Sequence, residues 1–110
     1  MSIAAEAVRI HVTRLIGAAV VGADDEKLGA ISDIMVDAPS GRIAYVAIAV
    51  GGVLSVGERL FAVPWACLTV PADEGPVRIA ASAAHFDGRD GFDKDFWPSD
   101  ADPTLMAAPA

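Results

Sequence analysis

One hundred and ten residues make one domain with a modest core, since a chain of this size buries about 65% of its unfolded surface. Apolar residues are 54% of the chain, which excludes disorder, but 22 of them are alanine, so the core is assembled from small side chains. Eight basic residues against fifteen acidic give a net charge of −7. That balance excludes nucleic acid as a direct ligand and an anionic membrane surface as a platform, because both require clustered Lys and Arg.

The longest uncharged run is fifteen residues, Ile43 to Gly57, interrupted at Gly51-Gly52. It falls short of the roughly twenty apolar residues of a spanning helix, so no transmembrane segment is expected. Glu6 sits where a signal peptide needs its apolar region. The expectation is a soluble, cytoplasmic protein. Cys67 is the one cysteine and excludes an internal disulfide.

Short apolar runs follow one another between glycine and proline punctuation. Val8, Ile10 and Val12 alternate with Arg9 and His11, the period of an edge strand. Leu15 to Val21 is a second run, closed by the turn-forming Gly22-Ala23-Asp24-Asp25. Lys27 to Asp37 and Arg42 to Val50 flank Pro39-Ser40-Gly41 and predict a hairpin. Ile31 and Ile34 are three apart, whereas Ile34 and Val36 are two apart, so side-chain parity flips. A bulge near Ser32-Asp33 accounts for that flip.

The strand at 43–50 is apolar on both faces, Val46, Ile48 and Val50 on one and Tyr45, Ala47 and Ala49 on the other. Such a strand is covered on both sides, the bulky face by the core. Beyond the Gly-rich stretch at 50–58, Phe61, Val63 and Trp65 alternate along a strand that Pro64 places at an edge or ends. Cys67 to Val70 and Val77 to Ala80 form a last pair, and Ser82 is placed to cap a short helical turn through His85. Residues 87–110 hold six acidic and two basic groups, so the tail is an acidic appendage. Six short strands at this spacing predict a small barrel.

No catalytic constellation assembles from these residues. The Gly-rich stretch lacks both the Lys-Ser of a phosphate loop and a following helix, and Glu58 would repel phosphate. The apolar neighbours of Cys67 suppress its ionisation, and with His11 and His85 it does not give a zinc spacing. Asp87, Asp90, Asp93 and Asp95 are candidate oxygen ligands, but Arg89 stands at the third position of a calcium loop begun at Asp87. A solvated acidic face is the reading adopted. Phe92, Phe96 and Trp97 interleave with those aspartates; they either pack on the body or meet a partner, and docking of all three is expected.

The order of these pieces resembles the PRC-barrel family. The resemblance runs from Leu15-Ile16-Gly17 through Lys27–Asp37, Ser40–Val46, Val50–Leu54 and Val56-Gly57-Glu58 to Ala62-Val63-Pro64-Trp65. Gly91–Pro98 is similar to the tail of stand-alone bacterial members. Ser55, where the family often has glycine, and the segment His85–Asp90 depart from the pattern. The resemblance implies an all-β fold, a small six-stranded PRC-type β-barrel with a short, partly helical acidic tail. The expected divisions are an N-terminal segment or edge strand at 1–10, the barrel at 11–81, a docked tail at 82–98 and a disordered end at 99–110.

The resemblance also implies binding and no chemistry: a non-enzymatic adaptor or docking module with a protein partner and no cofactor or metal. A homodimer is expected through the small-residue stripe Tyr45, Ala47 and Ala49, extended by Val53 and Leu54, because symmetric association commonly hides such a surface. The competing reading is a small-ligand or metal-ion protein using the barrel mouth and the aspartates of the tail.

Overall fold

A computed structural model describes residues 9–51, 59–73, 75–81, 86, 91–103 and 105. Among these, six strands form one sheet: β1 (Ala19–Val21), β2 (Lys27–Asp37), β3 (Arg42–Val50), β4 (Arg59–Val63), β5 (Leu68–Thr69) and β6 (Val77–Ile79). Their order across the sheet is β4-β3-β2-β1-β6-β5, curled into a half-barrel. Only the β1–β6 pairing is parallel; β4 and β5 are the two edges. No helix among the described residues is long and apolar enough to cross a membrane.

Curvature comes from bulges on the two long strands. Ile31 pairs with Ile48 and Asp33 with Ala47, so Ser32 is the extra residue, and the Asp33 carboxylate accepts the Ile34 N–H at 2.8 Å. This restores both Ile31 and Ile34 to the core face. Two further shifts have no counterpart in the sequence reading. Leu28 is extra where β2 meets β1, and Ala44 is extra where β3 meets β2. The second carries Ile43 back to the core, although strict alternation would place it beside Tyr45. Each bulge bends its strand, and a sheet must bend to enclose a core.

Gly29 marks the tightest approach in the sheet. A side chain there would run into the Ala49 carbonyl oxygen of β3, so only a residue without Cβ lets these backbones close. The β2–β3 turn is held by Asp37, whose carboxylate accepts Ser40 N–H at 3.1 Å and Ser40 Oγ–H at 2.5 Å.

The chain departs from the strand expected around residue 10. Residues 9–11 are irregular, and Val12–Leu15 form one helical turn, α1; Val8 lies outside the described residues. Alternation gives way to tertiary contact: the turn buries Leu15 in the core and lets the Arg14 guanidinium donate to Pro71 O at 2.9 Å. At the other end of the sheet Pro64 stops β4. Trp65 enters a 3₁₀ turn (Trp65–Cys67) and is exposed, so it does not continue the inward row of Phe61 and Val63.

The main core gathers Val20, Leu28, Ile31, Val46, Ile48, Phe61, Val63, Val77 and Ile79, with Phe86 edge-on to Phe61 at 5.0 Å. Leu105 belongs to it too, 1% exposed. In the end expected to be disordered, Leu105 thus enters the core and Ala101 packs on the outer face, while residues 104 and 106–110 lie outside the described residues. Burying one large apolar side chain stabilises by about 1.5–3 kcal/mol, which offsets part of the roughly 1–2 kcal/mol that ordering each residue leading to it costs. Ser82, His85, Asp87 and Asp90 lie outside the described residues.

Candidate docking surface

The outer face of the sheet carries a second apolar cluster. Tyr45, Ala47 and Ala62 are its buried members, with Met35, Ala44, Phe92, Trp97 and Ala101 packed around them. Tyr45 and Ala47 share a face of β3, and Ala62 stands opposite Ala47 on β4. The bulge at Ser32 turns Met35 to the same side. Three alanines make this surface shallow, and large rings from elsewhere fill it.

Those rings come from the tail. Phe92 lies edge-on to Tyr45, centroids 6.2 Å apart, and Trp97 stacks at a tilt on Phe92 at 5.0 Å. Backbone bonds fix the path: Phe92 N–H donates to Leu60 O and Asp102 N–H to Ala62 O, each at 2.8 Å. Both carbonyls belong to edge strand β4, which faces β3 through its other side. The tail thus occupies an edge that would otherwise invite pairing with another chain. Gly91 is required for this approach: its φ is +68°, and a side chain there would run into Leu60 O. The Tyr45 hydroxyl donates to Pro98 O at 2.8 Å. Burial, and then the charge of Asp33, hold the Tyr45 phenol above the usual tyrosine value.

Of the stripe expected to carry a dimer, Tyr45 and Ala47 are fully buried, with Phe92 and Trp97 of the tail packed against their cluster. Ala49 is partly buried and outside the cluster, and Val53 and Leu54 lie outside the described residues. The three tail aromatics also divide. Phe92 and Trp97 pack on the barrel, whereas Phe96 is 76% exposed and does not dock. Its turn is ordered: Asp93 Oδ1 accepts Asp95 N–H at 2.9 Å, Asp93 O accepts Phe96 N–H at 2.9 Å, and the Trp97 indole N–H donates to Lys94 O. With the indole turned inward, the neighbouring phenyl ring is turned out.

The remaining candidates are placed as follows. Asp93 and Asp95 are exposed, and no group of three His, Cys, Asp or Glu fit to hold a metal occurs among the described residues. Cys67 is half-buried with its thiol directed at Leu105 O, 3.6 Å away, and burial pushes that thiol up. His11 is exposed at the start of α1. An open groove of about 500 Å³ lies between α1 and the approach to β6, lined by Arg14, Leu15, Ala18, Ala19, Gly75, Pro76 and Val77. Its one charged group, Arg14, is already committed to the carbonyls of Pro71 and Ala72.

A family model, the PRC-barrel domain, matches residues 8–85. The match covers more than half of the chain, and the curled six-stranded sheet is consistent with it. The chain belongs to the PRC-barrel family. No curated protein matches it. PRC-barrel domains are interaction modules and generally non-catalytic. The matched range ends before Phe92, so the segment that covers the outer face here lies beyond the PRC-barrel match. No signal in the sequence separated Phe96 from its neighbours; the Phe92–Trp97 spacing alone does not reveal which ring faces the barrel.

Proposed function

We propose that this PRC-barrel chain is a non-catalytic docking module that engages a protein partner through the turn at 93–97, with Phe96 as the anchor. The observation that carries the reading is Phe96 itself, a large aromatic 76% exposed at the tip of a turn held by three hydrogen bonds. An aromatic already ordered loses little freedom on binding, which is why such residues dominate binding energy. Asp93 and Asp95 flank it, both exposed. The complementary partner presents an apolar pocket with a rim of Lys or Arg, and the opposed charges speed encounter.

Tagged protein expressed in the native organism should co-purify with one partner in stoichiometric amount, and Phe96→Ala should lose it while melting at the wild-type temperature. Retention of the partner by that variant would overturn the reading. A rise in melting temperature with a metal ion or metabolite, and no protein partner, would favour the small-ligand alternative.

A further inference from the structure

The tail has the form of a ligand bound to the sheet. It contributes two rings to a shallow face, two main-chain donors to a free strand edge, a carbonyl to the Tyr45 hydroxyl, and Leu105 to the core. Its ring and main-chain partners on the outer face lie within residues 35–62, and what it brings to them follows residue 90. Phe86 stays in the main core against Phe61, so the segment that could leave as a unit begins after it. Pairing of an extended segment with a sheet edge, with side chains anchored in adjacent pockets, is a recurrent mode of peptide recognition.

We infer that the outer face of β3 and the edge of β4 form a binding groove for residues 91–105 of a second copy of this chain, which exchanges its tail for the resident one. The second copy is the occupant because its fit is already given: every copy carries a groove and a segment complementary to it in shape, hydrogen bonding and register. The site in each protomer would then be completed by Phe92, Trp97 and Leu105 of the partner subunit. A tail tethered to its own barrel has an effective concentration on the order of millimolar, so isolated chains at micromolar concentration keep their own tails. Exchange takes over where copies are held close together or where the resident tail is weakened. This involves a different face from Phe96 and does not rest on the docking proposal.

Two full-length variants test it by complementation. Ala47→Glu spoils the groove and leaves the tail intact; Gly91→Val with Trp97→Ala spoils the tail and leaves the groove intact. Each alone should sediment as a monomer of 11.3 kDa. An equimolar mixture should sediment at twice that mass, because the free tail of the first finds the empty groove of the second. A mixture that stays monomeric, with both chains folded by circular dichroism, overturns the proposal. Should either variant fail to fold, Tyr45→Ala paired with Gly91→Val makes a milder test of the same kind. Failure of that pair to fold would also overturn it, since the tail would then be inseparable from the body.

Discussion

Tyr45 shows most clearly how one residue links barrel and tail. Its ring is fully buried under Phe92, and its hydroxyl reaches Pro98, 53 residues away. Tyr45→Phe keeps the ring and loses the bond, leaving the Pro98 carbonyl with one partner fewer; it should cost about 1 kcal/mol in chemical denaturation. The phenol is raised above its ordinary value in the folded chain, chiefly by burial. Stability from this group is therefore fully present below the ordinary tyrosine value and lost as pH rises through the raised one. Wild type should lose stability across that alkaline window, and the phenylalanine variant should lose less. The chain has a single tyrosine, so the absorbance change of tyrosinate reads this site directly. Titration at the value of an exposed tyrosine would mean the tail does not cover it.

At the scale of elements, the two close-approach glycines separate sheet from tail. Gly29 lies where β2 meets β3, and its missing side chain makes room for the Ala49 carbonyl. Gly29→Ala must part the two longest strands, and a loss above about 3 kcal/mol, or failure to fold, is expected. Gly91 combines a positive φ with a similar approach to Leu60 O, but from outside the sheet. Gly91→Ala should therefore leave the β signal in circular dichroism unchanged while the Trp97 fluorescence shifts toward that of an exposed indole. Since Trp65 also emits, the shift is to be measured in a Trp65→Phe background. Equal damage from the two substitutions would show that the tail is not a separable element.

For the molecule as a whole, the last residues matter more than their composition implies. Leu105 is almost completely buried, and Asp102 binds β4 through its backbone. Leu105→Ala should cost about 2–4 kcal/mol, as for a core leucine. Trp97→Ala should cost about 2 kcal/mol, below the range for a fully buried tryptophan, because the indole is only half-covered. Phe96→Ala should be neutral within about 0.5 kcal/mol, as for surface substitutions. Thermal melts of the three variants rank them, and a large loss at Phe96 would contradict its exposure.

Local pattern was enough for the central strands of the sheet. The alternation at 43–50, the turn at Pro39-Ser40-Gly41, the parity break between Ile31 and Ile34 and the strand-ending Pro64 each read directly onto β2, β3 and β4. These features are legible because a strand repeats every two residues and a bulge shifts that repeat by one. The apolar second face of β3 was equally legible as something that must be covered. What covers it was not: a second copy and the tail satisfy the same hydrophobic requirement, and it is the tail's bonds to β4 at Phe92 and Asp102 that bring its rings onto this face. The same holds for Val12, where a helical turn won over an alternating pattern because Leu15 and Arg14 found distant partners. Contacts between residues tens of positions apart leave no period in the chain, so tertiary structure alone chose Phe92, Trp97 and Leu105 for the inside and left Phe96 to solvent.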